Sequence, residues 1–227
     1  MLRKWEDLPE EMKTDEVRKY YDALSRKQFS LGAKRMFDLI IASMMLIVLA
    51  PVFGVLALII KCDSEGPVFY RQTRITQYGK EFRIHKFRTM VSNADKIGTL
   101  VTVGDDVRVT KVGKLLRKYR LDELPQLIDI LQGNMTFVGT RPEVPRYVSA
   151  YNKEMRATLL LPAGITSEAS IYYKDESALL EGANDVDKVY IEQVLPEKMR
   201  YNLIMLENFS FIKEISVMLK TVLAVLS

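Results

Sequence analysis

"MMLIVLAPVFGVLALIIK", Met44 to Lys61, is the most apolar stretch of a chain that is otherwise rich in charge. From Leu39 to Ile60 there are 22 residues without a charge, about 33 Å of straight helix at roughly 1.5 Å per residue, which matches a bilayer core. Length alone favours a spanning helix. Pro51 argues against a simple crossing, because it removes a backbone donor and crowds the carbonyl of Ile47 in mid-stretch. Each half is then about 10 to 12 residues, enough to reach mid-bilayer and return. Basic residues mark both ends alike: Arg26, Lys27, Lys34 and Arg35 precede the run, and Lys61, Arg71 and Arg74 follow it. The expectation is a re-entrant membrane helix over 34–61 broken at Pro51, with a proline-kinked transmembrane helix as the alternative.

Working outward, 227 residues suffice for one functional unit with a membrane attachment. The net charge of +4 selects no partner by itself. One cysteine, Cys62, excludes a disulfide within the chain, and with one histidine, His85, no zinc cluster can form. A metal here should be hard and oxygen-bound. The apolar run starts too late and lacks the cleavage site of a signal peptide.

Residues 1–33 read as a charged helical extension. Pro9 opens a helix through about Gln28 with Met12, Val17, Tyr20, Tyr21 and Leu24 at helical spacing, as a surface or partner-docking element. A catalytic domain over 62–208 follows the membrane segment. In it, "VFYRQTRITQYGKEFRIHKFRTM" (68–90) alternates about Gln77-Tyr78-Gly79 and reads as a β-hairpin crowded with Arg71, Arg74, Arg83, Lys86 and Arg88. That surface is either a solvated basic face or a seat for anions and lipid headgroups. From Lys111 an amphipathic helix runs to Pro125, with "QLIDIL" as a second, short helix. "QGNMTFVGTRPE" and "LLPAGITSEASIYYKDE" read as loops flanking a helix from about Arg146 to Leu159. Residues 209–227 form an amphipathic helix suited to a core or a membrane interface. The fold class is α+β, mostly helical: a small globular domain with one hairpin, the membrane hairpin and interfacial helices.

No phosphate-cradling glycine motif is present, and one imidazole without G-x-S-x-G disfavours a serine triad. Carboxylates and basic groups remain. Asp122 and Glu123 of "RLDELPQL" are adjacent, so on a regular helix they point about 100° apart, and taken alone they read as a solvated pair. Their company raises them: Arg117 and Arg120 on the same turns, the "KFRTM" strand and the "TRPE" loop could hold a carboxylate nucleophile beside a magnesium-bound diphosphate.

"GPVFYRQTRITQYGKEFRIHKFRTM", "LDELPQLIDILQGNMTFVGTRPE" and "PAGIT", in this order after a proline-interrupted apolar segment, resemble the bacterial sugar transferase family, the monotopic polyprenyl-phosphate phosphoglycosyl transferases. The resemblance runs from about Lys34 to the C-terminus. It implies transfer of a phospho-sugar from a UDP-sugar to a polyprenyl (undecaprenyl) phosphate at the cytoplasmic face of the bacterial inner membrane, with release of UMP. It implies Asp122 as the nucleophile that carries a phosphosugar-aspartyl intermediate and Glu123 as the carboxylate associated with Mg2+, with Asp122 beside the same ion. Lys86, Arg88, Arg117 and Arg141 fall on the family's phosphate-binding positions, and Lys174 falls where an arginine is usual. Nucleic acid is not implied; a second copy or a downstream glycosyltransferase is left open as a protein partner.

The chain departs from the family pattern at Ala50-Pro51, where a serine often precedes the proline, at Thr140 before Arg141, at "TSEASIYYK", and at Asn202, often an aspartate. These departures bear on the sugar more than on the reaction. Two other readings compete. One is a non-catalytic membrane-bound module whose basic hairpin binds anionic lipid or nucleic acid, which needs the arginines but gives Asp122 and Glu123 no role. The other is a magnesium-dependent UDP-sugar hydrolase, which needs no lipid.

Overall fold

The computed structural model describes residues 2–94, 106–173, 179–180, 183 and 185–226. Lys174 lies outside the described residues. The chain begins with short 3-10 turns and helix α1 (Asp15–Ser25), then the long helix α2 (Gln28–Asp63). The hairpin β1 (Phe69–Ile75) and β2 (Glu81–Phe87) follows, then α3 (Lys111–Lys118) and α4 (Gln126–Leu131). Strand β3 (Met135–Val138), α5 (Pro145–Val148), β4 (Ala163–Thr166) and α6 (Glu168–Tyr172) come next. The C-terminal layer is α7 (Val186–Val189), a π turn over Tyr190–Val194, α8 (Leu195–Glu207) and α9 (Phe211–Leu226).

The N-terminal helix starts at Asp15, where Thr14 accepts from the Val17 amide, and not at Pro9. It is no free docking surface: Val17, Tyr20 and Leu24 are buried with Tyr147, Leu160, Leu195 and Leu206 in one core cluster. The apolar periodicity was legible, but the chain itself supplies the partner.

Helix α2 continues through Pro51, so the proline lies inside a helix and does not end it. Losing one N–H costs one intrahelical bond, and packing on both sides of the proline offsets it. Ile41, Met45, Leu46 and Leu49 pack on the cluster built from β2, α4 and β3. Phe53, Leu56 and Ile60 pack against Phe87 and Leu116. Neither half of α2 is therefore a free-standing span. Both ends are tied to the same body: Lys34 Nζ donates to Val138 O at 3.0 Å and to Glu214 Oε2 at 2.5 Å, and Arg88 Nη2 donates to Ser64 O at 2.6 Å. The other face, with Met36, Ile40, Met44, Ile47, Val48, Val52, Val55 and Leu58, is exposed and wholly apolar. Ile212, Leu219, Val222 and Leu223 of α9 are exposed as well, and α9 joins α2 through the Phe37–Phe211 ring contact.

The hairpin pairs antiparallel in the register Tyr70↔Lys86, with Tyr78 (φ 60) and Gly79 (φ 75) making its left-handed turn. It docks on α4 through Asp129, which accepts from the His85 amide at 2.9 Å and lies 2.7 Å from His85 Nδ1. The single imidazole is thus used in packing. Strands β3 and β4, read from the sequence as loops, pair in parallel as Met135↔Ala163 and Val138↔Thr166. The long connection between them contains α5 and a 3-10 turn, Met155–Leu160, in place of the helix expected from Arg146 to Leu159. Gly164 permits the crossing, because a Cβ there would sit 2.2 Å from the backbone of Gly139. This short parallel pair places the Gly139–Glu143 loop over the dyad.

Candidate active site

The dyad does not sit on a helix. Thr110 caps α3 by accepting from Gly113 N, the helix ends at Lys118, and Arg120 adopts left-handed angles (φ 55, ψ 21). The chain then enters a 3-10 turn over Leu121–Glu123. Three residues per turn set neighbouring side chains about 120° apart, so Asp122 and Glu123 face different surroundings although both are buried.

Glu123 is gripped. Its Oε2 accepts from Arg141 Nη1 at 3.0 Å and its Oε1 from Lys86 Nζ at 3.1 Å, with Arg141 Nη2 completing a two-pronged pair. Burial pushes its carboxyl up, but Arg141 and Lys86 outweigh that and hold it well below the usual carboxylate range. Asp122 is the opposite case. Its Oδ1 is buried with no hydrogen-bond partner among the described residues. Burial raises its pKa, only partly countered by Lys86, while the charge on Glu123 raises it further. Two adjacent carboxylates are thus driven in opposite directions, the pattern expected where they do different jobs.

Arg117 joins from α3. Its Nε donates to Thr89 Oγ1 at 2.9 Å, and its charge acts on Asp122. Gly113 makes this possible: a Cβ there would lie 2.0 Å from Thr89 O, so only glycine lets α3 approach the end of the hairpin this closely. Burial lowers the pKa of Lys86, with Glu123 opposing, so the ammonium is held in place by its carboxylate partner.

Lys86, Arg117, Asp122, Glu123 and Arg141 are therefore brought together. Arg88 is not: its Nη2 donates to Ile60 O, Ser64 O and Ser64 Oγ, closing the C-terminal carbonyls of α2. It fastens the apolar helix to the hairpin. The alternation of "KFRTM" could not separate the two roles, because β2 ends at Phe87 and Arg88 leaves the strand. Sequence reasoning also passed over Thr89, which orients Arg117, and Glu143, which anchors the loop carrying Arg141. Glu143 Oε1 accepts from Tyr190 Oη at 2.6 Å and Lys198 Nζ at 3.4 Å, while Glu143 O accepts from Ile75 N at 2.9 Å.

A profile described as bacterial sugar transferase matches residues 29–227. The chain belongs to the bacterial sugar transferase family. Among curated relatives it is 31% identical over 197 residues to the UDP-N-acetylgalactosamine-undecaprenyl-phosphate N-acetylgalactosaminephosphotransferase of Aeromonas hydrophila, covering 86% of this chain and 44% of that one. It is 40% identical over 153 residues to the UDP-glucose:undecaprenyl-phosphate glucose-1-phosphate transferase of Escherichia coli (strain K12), covering 65% of this chain and 33% of the relative. With the exopolysaccharide production protein ExoY of Sinorhizobium fredii it shares 32% over 208 residues, 85% of each. The chain thus spans less than half the length of the first two relatives. Residues before 29, including α1, lie outside the family match yet are built into the core.

In this member of the bacterial sugar transferase family no group of three or more His, Cys, Asp or Glu side chains suits a metal among the described residues. Magnesium does not need one, since it keeps much of its shell in water and phosphate oxygens and takes one or two carboxylates. The unpartnered Asp122 Oδ1 is a donor of that kind. Glu123 would become one if phosphate oxygens took over Arg141 and Lys86. The dyad therefore fits a magnesium brought in with a diphosphate.

Proposed function

We propose that this chain transfers a phospho-sugar from a UDP-sugar to polyprenyl phosphate by way of Asp122. An Asp122 carboxylate oxygen attacks the sugar-bearing β-phosphorus, the bond to the bridging oxygen breaks, and UMP leaves with that oxygen. The product is an aspartyl phosphosugar. A phosphate oxygen of the lipid then attacks the same phosphorus, the acyl phosphate bond breaks, and Asp122 returns as carboxylate beside a polyprenyl-diphosphate sugar.

The observation that carries this reading is the contrast within the dyad. Glu123 is saturated by cations, whereas Asp122 presents an oxygen with no partner among the described residues, ringed by the charges of Lys86, Arg117 and Arg141. A buried polar atom left unpaired costs about 1–3 kcal/mol, and a nucleophile is a reason to bear it. Lys86, Arg141 and Arg117 neutralise phosphate oxygens as charge passes to the leaving group. Magnesium, when bound, supplies Lewis-acid polarisation of the diphosphate.

The membrane part of the proposal is monotopic attachment to the cytoplasmic face of the inner membrane. The inner face of α2 rests on the domain along its length and both ends are bonded to that domain, which supports Lys34 and Lys61 lying on one side of the bilayer. The exposed apolar faces of α2 and α9 then meet lipid.

UMP release across a panel of UDP-sugars, beginning with those named for the relatives and with undecaprenyl phosphate as acceptor, tests the reaction. A labelled phosphosugar adduct should survive denaturation on the wild type and be absent from Asp122→Asn. Full turnover by that variant would overturn the assignment, and turnover without any lipid would make the protein a hydrolase. Topology is tested separately. Cys62 is exposed, and Gly32 has open space for a side chain. In sealed vesicles an impermeant maleimide should label Cys62 and, in Cys62→Ser, Gly32→Cys from the same side; labelling from opposite sides would mean a spanning helix.

A further inference from the structure

Arg74 carries no assigned role, and its surroundings are unusual. It lies on β1, four residues from Tyr70, which faces Lys86 across the hairpin. Its Nη1 donates to Pro142 O at 3.0 Å and its Nη2 to Gln72 Oε1 at 2.7 Å. Nε is buried with no hydrogen-bond partner among the described residues. The Pro142 bond places this guanidinium one residue along the chain from Arg141, and the charges of Arg141 and Lys86 both act on it or from it unfavourably. Glu143 behind it, held by Tyr190 and Lys198, is its compensating charge.

Three cations are drawn together from β1, β2 and the Gly139–Glu143 loop; Glu123 and Glu143 attract them more than they repel one another, but burial still disfavours the charge on Arg74 and Lys86. An incoming polyanion offsets the cost of keeping buried cations charged. A diphosphate competing with Glu123 for the Arg141 fork arrives beside Pro142, whose carbonyl fixes Arg74 with its Nε–H unpaired among the described residues. This end of the site adjoins Glu143 and Tyr190 of the helical layer, while the apolar second half of α2 packs behind Phe87 and Leu116. The water-soluble substrate, and not the lipid, belongs at the Arg74 end.

We propose that Arg74 is a further substrate-binding residue that donates its Nε–H to the diphosphate of the nucleotide sugar. The inference rests on the UDP-sugar reading above. It is tested by measuring dissociation constants of UDP and of uridine, by titration calorimetry, on the wild type, Arg74→Met and Arg74→Lys. Loss of a charge-assisted hydrogen bond should weaken UDP about tenfold or more in Arg74→Met, with uridine changed less than twofold. The Michaelis constant for polyprenyl phosphate should stay within twofold while that for the UDP-sugar rises. Arg74→Lys, which restores charge without the fork, should recover part of the UDP affinity.

If Arg74 served only to hold Pro142 and so to position Arg141, its loss would cost nothing further once Arg141 is gone: equal UDP affinity in Arg141→Met and in Arg141→Met with Arg74→Met overturns the proposal, as does unchanged UDP affinity in Arg74→Met alone. Should Arg74→Met fail to fold, the same comparison on Arg74→Lys decides. A wild type that binds UDP but releases no UMP from any UDP-sugar would defeat the transferase reading, and a UDP-selective loss in the variants would still uphold Arg74.

Discussion

Asn at 122 and Gln at 123 are the same chemical change at neighbouring positions, yet their effects on stability should have opposite signs. Asp122 has a folded pKa raised above its unfolded value by burial. Its contribution to stability is complete at pH below the unfolded value of 3.8 and is lost as pH rises through the folded pKa, so charging this carboxylate burdens the fold. Neutralising it should stabilise the fold by about 1 kcal/mol, the lower end of the cost of an unpaired buried polar atom, because an amide placed there still lacks a partner. Glu123 has a depressed folded pKa, so its contribution is present above 4.5 and lost as pH falls through the folded value. Removing its charge leaves Lys86 and Arg141 facing each other, a loss of about 2–4 kcal/mol after allowing for the partial exposure of both cations. In a domain of this size 1 kcal/mol moves the thermal midpoint by about 2–4 °C. Thermal unfolding in one detergent at pH 7 should therefore place Asp122→Asn above the wild type and Glu123→Gln below it, with transfer activity lost from the first. The gain in Asp122→Asn should vanish as the pH is lowered towards 4. Two shifts of the same sign would refute the claim that the dyad is electrostatically divided.

Glu214 is raised to about 7 by burial, with Lys34 pulling the other way. Its folded value lies above the unfolded 4.5, so stability should fall by up to about 3 kcal/mol between pH 4.5 and 7, and melting curves of Glu214→Gln should lack that slope. Gly113→Ala drives a methyl against Thr89 O, which should cost about 1–3 kcal/mol and lower UMP release by displacing Arg117; unchanged melting and turnover would contradict the close approach. Lysine at Ile47 puts a charge into the exposed apolar face of α2, where insertion scales assign about 2.5–3.5 kcal/mol, so vesicle flotation should weaken sharply while the melting of the detergent-solubilised protein stays near that of the wild type.

Much of this protein could be read from local pattern, because local pattern is set by short-range sterics and periodic burial. The hairpin follows from alternation about a turn that needs left-handed backbone at Tyr78 and Gly79. The amphipathic α3 follows from its spacing, and the apolar α2 follows from length and composition. Strands β3 and β4 escaped, since four-residue parallel strands buried on both sides show no alternation, and their pairing depends on a distant glycine contact. The re-entrant break was placed at Pro51 on a local rule, and tertiary packing on both sides of the proline keeps that segment helical.

The residue types of the site were equally visible: a D-E pair, lysines and arginines in motifs that mark the family. Sequence by itself determined that inventory, together with the long apolar helix. Only the tertiary structure decided how the inventory is divided. Arg88 turns to the end of α2, Arg141 and Lys86 close on Glu123, and Asp122 keeps an unpaired oxygen. Such a division depends on which way each side chain leaves a 3-10 turn, a strand end or a loop, and those directions are set by contacts between residues far apart in the chain.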